Sequence, residues 1–490
     1  MQPVKLIHRI CISFFVRSIT HCFYKKYFIN APINPYFYFN IAIAVMFTKS
    51  KVAVFAISIM FVYLVFNLSG WDRKDMLAFD ESGYYLYLPA TFIYHDLGNV
   101  NFDSVITAKY NLSFGSQWYG VYKQPSTGRK LDKYAVGTCI FELPFFLIAN
   151  WYCSQSNHHP ADGYSEPYRR YIVFATVFWA LAGLIVLRKF LLRYFTESVV
   201  SVTLLLLAFG TNLYFYSVLE SGMSHPFSFA LFCFMLYATE RWYDTERKVF
   251  ALLLGIILGM VLITRPTNIV IVLIPLFWKY KDGSLGSKLS FYKQQVLPIV
   301  FGSLAFVAVT MIQCSYWKFV TGHWIHYSYE GEGFNFLSPE VRNGLFSYRK
   351  GWFVYTPVAF IGVIGLITLF KTHKWLAVVL TAYLGITIYI VFSWLVWFYG
   401  GSFGCRALIE DLAIVAIPLA SFIQWLFARK KIFLNSLALA VFAFLIWLNL
   451  FQSYQLKNYK TPWDGTNKAF YWRSFGKFNT TEEDQKLLRQ

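Results

Sequence analysis

Charge is what this sequence has least of. Only 14% of its 490 residues are Asp, Glu, Lys or Arg, against 57% hydrophobic and 21% aromatic. A chain so poor in charge cannot hide its apolar surface in one water-soluble core, which excludes an ordinary soluble domain and points to an integral membrane protein. Acidic residues are the scarcer sign, 25 against 44 Lys and Arg, leaving a net charge of +19. Those cations fall in short clusters between apolar runs, a spacing that orients helices in a bilayer and gives no support to nucleic acid as a partner. Cysteine is thin as well: the seven are scattered without a CxxC pair or an even framework, so they read as small apolar side chains. There is no P-loop, no GxGxxG after a strand, no internal repeat and no low-complexity linker, so nothing in the sequence supports a nucleotide fold.

What is present is a series of apolar runs, at 52–68, 171–187, 199–216, 226–240, 249–263, 267–278, 296–316, 355–370, 375–396, 412–427 and 433–450. With the basic clusters between alternate runs facing the cytoplasm, these make about eleven spans, the N-terminus inside and the C-terminal tail outside. One more apolar run, Val136–Tyr152, is short and holds Glu142 and Pro144. It is expected outside, as a re-entrant or membrane-surface helix. The expected fold is therefore all-α and polytopic, with a long first extracytoplasmic loop (69–170) carrying juxtamembrane helices. Residues 1–45 read as an extension, 46–450 as the membrane domain and 451–490 as an outer tail. On this topology the polar loops 69–170, 216–225, 317–354 and 397–411 share the side away from the cytoplasm, where nucleotides are scarce.

Asp80 and Glu81 follow the first span and precede GYYLYLPA, whose Tyr84, Tyr85 and Tyr87 are expected to seat the loop in the membrane interface. A carboxylate there could take a proton from a hydroxyl, and partial desolvation is expected to raise its pKa. The alternative is a solvated pair and a plain aromatic belt. In RKLDKYAVG, Arg129, Lys130, Lys133 and Tyr134 stand just before the surface helix, placed either to bind a lipid phosphate or to anchor the helix by snorkelling. Arg265 interrupts a segment too short for two full helices and a loop, so its turn is expected below the outer surface, facing a cavity or an anion. Arg406 follows the glycine-rich YGGSFG, with Glu410 and Asp411 near enough for a local ion pair. Arg349 and Lys350 lie among aromatics. His323, His326, Glu330 and Glu332 are the weak candidates for a divalent metal, at no recognised ligand spacing.

Taken in order, the acidic first loop, the Lys-Tyr before the surface helix, FGTNLYFYSVLESGMSH, LITRPTN and YGGSFGCRALIE resemble the GT-C membrane glycosyltransferases. Within them the chain is similar, over residues 46–450, to bacterial mannosyl- and aminoarabinosyltransferase-like proteins that use polyprenyl-phosphate sugars. The resemblance implies Asp80 as catalytic base with Glu81 beside it, and Lys133 as the lysine on the lipid phosphate. The family's Lys-Pro-Pro stands here as Lys133-Tyr134-Ala135. Its second acidic position is matched by Glu220, or His225 serves instead. Implied with these are donor-phosphate contacts from Lys133, Arg265 and Arg406, and substrate contacts from Tyr84, Tyr85, Tyr134, Glu220, His225 and Arg349. The implied reaction is inverting transfer of a sugar from a polyprenyl phosphate to a glycolipid, glycan or protein, at the periplasmic face of a bacterial inner membrane. A lipid-linked-sugar transporter or flippase is the rival from another class, and a structural membrane subunit is the third reading.

Overall fold

The computed structural model describes residues 49–68, 76–110, 112, 119–278 and 284–489; the expected extension at 1–45, and the cations Lys279 and Lys281, lie outside them. In chain order the helices are α1 (Ser50–Asn67), α2 (Phe79–Phe92), α3 (Asp103–Tyr110), α4 (Gly137–Ser154), α5 (Glu166–Leu191), α6 (Glu197–Phe209), α7 (Ser224–Thr245), α8 (Lys248–Thr264), α9 (Leu273–Phe277), α10 (Leu285–Gln294) and α11 (Val296–Thr321). They continue as α12 (Val341–Phe346), α13 (Trp352–Tyr355), α14 (Pro357–Ile364), α15 (Leu366–Thr372), α16 (Lys374–Ser393), α17 (Leu412–Ala428), α18 (Ile432–Lys457), α19 (Lys468–Ser474) and α20 (Glu482–Lys486). Between α3 and α4, β1 (Val121–Lys123) and β2 (Lys130–Asp132) pair antiparallel, Val121 opposite Asp132 and Lys123 opposite Lys130. The fold is otherwise mostly helical, as expected of an all-α membrane protein, and the short ribbon forms where YKQPSTGRK turns the chain back sharply through Gly128 at φ 74°.

Five helices, α1, α5, α11, α16 and α18, are long and apolar enough to cross a bilayer. Others are shorter than the apolar runs that predict them. The run 199–216 stays α-helical only to Phe209, after which Asn449 Nδ2 donates to the carbonyls of Phe209 and Thr211, at 2.9 and 2.8 Å. A π-helical turn, Phe215–Leu219, follows, so the expected polar turn at 216–225 begins as a buried one. The 355–370 run divides at Gly365. At 249–278, α8 stops where Arg265 turns extended (φ −148°, ψ 102°), and a 3-10 turn, Pro266–Val272, replaces the full helix expected next. Proline at its first position cannot continue the α-helical ladder.

Packing follows side-chain size. α8 lies against α11 where Gly255 meets Gly302: a Cβ at Gly255 would stand 1.9 Å from the Gly302 carbonyl oxygen, so the backbones touch only because both are glycine. From Val199 to Phe209, α6 is buried on every face, which is why it has no polar stripe. α4 is two-faced, with Glu142 and Phe146 buried and Leu147, Ile148 and Trp151 exposed. Its inner side rests on α2 and α5, bringing Tyr134, just ahead of it, over the start of α2.

Candidate active site

The start of α2 is an unusual piece of backbone. Leu77 (φ 67°) and Phe79 (φ 50°) both occupy the left-handed region, which costs non-glycine residues about 1–3 kcal/mol each and is concentrated at functional sites. Asp80, in the first helical turn, is favoured there by the positive end of the helix. Its Oδ2 accepts Arg406 Nη2 at 2.6 Å, and its Oδ1 accepts the Tyr134 hydroxyl at 2.5 Å. Tyr134 is held in turn by its backbone N–H on Asp132 Oδ1, at 2.9 Å, and by its ring on the bare Cα of Gly83. The expected rise in the Asp80 pKa does not occur. Burial pushes the carboxyl up, but Arg406, the Tyr134 hydroxyl and Lys133 together hold it below the usual carboxylate value.

Lys133 extends into a cage of rings, its ammonium 5.2 Å from the centres of Tyr119 and Tyr134 and 5.3 Å from Tyr329. It donates to Glu332 Oε1 at 2.9 Å. The 317–354 loop thus closes over β2 and supplies both Tyr329 and Glu332.

A second node sits beside the first. Glu410, fully buried, accepts from Asn268 Nδ2 at 2.9 Å and lies 3.1 Å from both Arg265 Nε and His225 Nδ1. Burial pushes its carboxyl up; His225, Arg265 and Asn268 outweigh that and hold it low. In the neighbouring Asp411, burial and Glu410 outweigh Arg265 and the Tyr383 hydroxyl, which donates to its Oδ1 at 2.6 Å, and push the carboxyl up to about 8. The local pair expected between Arg406 and Glu410 or Asp411 is therefore not formed: Arg406 reaches across to Asp80, and Glu410 serves Arg265. Arg265 Nη1 donates to Ser224 Oγ at 3.3 Å, while its Nε, though close to Glu410, makes no aligned hydrogen bond. His225 Nε2 also has no hydrogen-bond partner among the described residues. Tyr84 joins the two nodes; burial pushes its hydroxyl up to about 12, and both Arg265 and Asp80 act on it.

So Asp80, Tyr84, Lys133, Tyr134, Arg265, His225 and Arg406, seven of the residues picked from sequence, converge. The others do not. Glu81 points inward, 6% exposed, with its Cγ against Gly222 and its charge on buried Glu142, whose carboxyl burial and Glu81 push well up. Tyr85 is fully buried and gives its hydroxyl to the Gly163 carbonyl at 2.5 Å. Tyr84, Tyr85 and Tyr87 are all buried among protein, which corrects the interfacial-belt reading. Glu220 lies 3.8 Å from Lys457, away from the cluster, whereas His225 stands in it against Glu410. Arg349 is bidentate on Asp464, at 2.8 and 2.7 Å. Of the metal candidates, His326 is 3.7 Å from Glu330 and Glu332 is taken by Lys133; no group of three His, Cys, Asp or Glu assembles among the described residues.

Sequence reasoning missed Tyr329, Asn268 and Ser224. Asn268 carried one signal, its position three residues after an intramembrane arginine. Tyr329, in a loop of no regular pattern, carried none. In comparisons with known proteins, no family model and no curated protein matches the chain.

Proposed function

We propose that this protein is an inverting GT-C-type glycosyltransferase that moves a sugar from a polyprenyl-phosphate donor to a hydroxyl of a glycolipid, glycan or protein. The observation that carries the reading is Asp80, an ionised carboxylate held by Arg406 and Tyr134 within the field of Lys133, with Arg265 in the next node. One base and several cations in one buried cluster suit a reaction that removes a proton at one atom and gathers negative charge on a phosphate at another.

In this reading the acceptor oxygen forms a bond to the anomeric carbon from the face opposite the leaving group. The bond from that carbon to the phosphate oxygen breaks, its electron pair stays on the polyprenyl phosphate, and the acceptor proton passes to Asp80. Arg265, Lys133 and Arg406 bear the phosphate charge, each well-placed donor contributing about 3 kcal/mol. Arg406 cannot fully serve a phosphate and Asp80 together. Donor binding opens their pair, and burial then raises the freed carboxyl toward a basicity useful for taking a proton. In this reading the five long helices, the five shorter apolar segments and α7 are counted as eleven crossings, and with the basic clusters facing the cytoplasm the cluster belongs to the periplasmic side of the inner membrane.

The test is sugar transfer in membranes supplied with a polyprenyl-phosphate sugar. Asp80→Asn is expected to lower transfer by about 100-fold or more; full activity in the variant removes Asp80 from the chemistry. The transporter reading draws on the break at Arg265, since interrupted helices line substrate paths. It wins if the protein moves lipid-linked sugar across the bilayer and transfers none.

A further inference from the structure

The cluster stands at the Arg265 end of α8. At the Lys248 end, about 25 Å away along that helix, α10 (Leu285–Gln294) packs against the last turn of α7. Phe291 stacks on Tyr243 with ring centres 4.7 Å apart, the hydroxyls of Tyr243 and Tyr292 are 2.8 Å apart, and Lys288 Nζ donates to the Trp278 carbonyl at 3.2 Å. These contacts fix one face of α10 on the protein. At about 100° per residue, Leu285 and Leu289 share a second face, and Ser290 and Gln294 a third, turned about 100–180° from the leucines. Leu285 is 72% exposed and Leu289 52%, so the second face is apolar and uncovered by protein.

What covers it follows from the next helix. α11 begins directly after Gln295, and its Val296, Val300 and Leu304, 56%, 45% and 60% exposed, continue the stripe of Leu285 and Leu289 at helical spacing. α11 is long and apolar enough to cross a bilayer, so the side that bears these residues faces hydrocarbon. The apolar strip therefore runs from the lipid-facing side of a span onto α10, which at 10 residues is too short to cross and has a polar side of its own. Charge selects the lipid. Among the described residues, Arg247, Lys248 and Lys293 are exposed cations at this end; of its carboxylates, Glu240 and Asp244 are held by Arg193, and Glu246 is the third. We infer that α10 lies in the surface of one leaflet, its two leucines in the acyl region and Lys293 at the phosphates of anionic phospholipids. The contact involves neither Asp80 nor Arg265, and it stands whether or not the cluster transfers sugar.

The test places p-benzoylphenylalanine at Leu285, Leu289, Ser290 or Gln294, one position at a time, in the full chain reconstituted into vesicles of equal phosphatidylcholine and phosphatidylglycerol. All four side chains are exposed, so none of the replacements disturbs the core. After irradiation, adducts are mapped by mass spectrometry. Lipid adducts are expected at 285 and 289 in excess of 290 and 294, with phosphatidylglycerol taken in preference to phosphatidylcholine. Lys293→Gln, at an exposed position, is expected to lower that preference at 289 about fivefold, the factor one cation contributes near an anionic surface. Equal lipid labelling of the four positions, adducts from 289 to a second copy of the chain or to another protein in place of lipid, or a preference unmoved by Lys293→Gln overturns the inference.

Discussion

At the scale of single residues, the site is a set of mutually dependent charges. Asp80 has its carboxyl below the ordinary value of 3.8, so in the native state it remains ionised to lower pH than in the unfolded chain. Its contribution to stability is present above the ordinary value and is lost as pH falls through the lowered one. Arg406→Gln removes the largest of the effects that oppose burial, leaving the Tyr134 hydroxyl and Lys133 to hold the carboxyl down, so its pKa rises. The acid limb of a transfer pH profile is expected to move to higher pH, and an unmoved limb would separate the two residues functionally. Glu410→Gln leaves Arg265 with a buried, uncompensated charge, a change that costs about 3–5 kcal/mol. The expected result is a clearly lower thermal midpoint in detergent, with Asp411, freed from its anionic neighbour, titrating below its present value of about 8. Residue types were legible in the sequence, because an Arg inside an apolar run has few uses. Partners were not: Arg406 and Asp80 are 326 positions apart, and proximity in sequence pointed instead to Glu410.

At the scale of elements, short distortions place these residues. Arg265 faces the cluster because α8 ends in an extended residue, and proline then forbids an α-helical continuation. Tyr134 reaches Asp80 because Gly83 has no side chain: a Cβ there would stand 2.0 Å from Tyr134 Cδ2. Gly83→Ala is accordingly expected to displace Tyr134 and cost about 1–3 kcal/mol, despite alanine's better helix propensity. Its signature is a fall in transfer resembling Tyr134→Phe; a neutral effect on both stability and transfer would mean the ring moves freely. The break at 265 was readable from length, since about thirty residues do not make two full-length helices and a loop. The early stop of α6 was not, because its cap, Asn449, comes from α18.

For the whole molecule, the C-terminal tail closes the fold over the Arg406 loop. Trp463 accepts from the Ser402 N–H at 3.0 Å, Arg349 grips Asp464, and buried Lys350 binds the carbonyls of Ser402 and Trp463. Burial pushes the Lys350 amine down to about 7, ahead of opposing and assisting charges. Between that value and the ordinary lysine value the unfolded chain holds the extra proton, so folding stability gains as pH rises from about 7 toward 10. Lys350→Met is expected to flatten that part of the stability curve, as read by resistance of the tail to proteolysis across pH. A slope unchanged in the variant would assign it to other groups.

The sequence by itself determined the membrane character, the helical class and the residue types at the cluster. Apolar periodicity and the cost of charge in hydrocarbon act along the chain and need no partner. Only the tertiary structure decided which cation meets which carboxylate, that Glu81, Tyr85, Glu220 and Arg349 stand apart, and that the Asp80 carboxyl is lowered. Each of those outcomes depends on groups far away in sequence brought within a few ångströms, where Coulomb and hydrogen-bond energies are large enough to overcome burial.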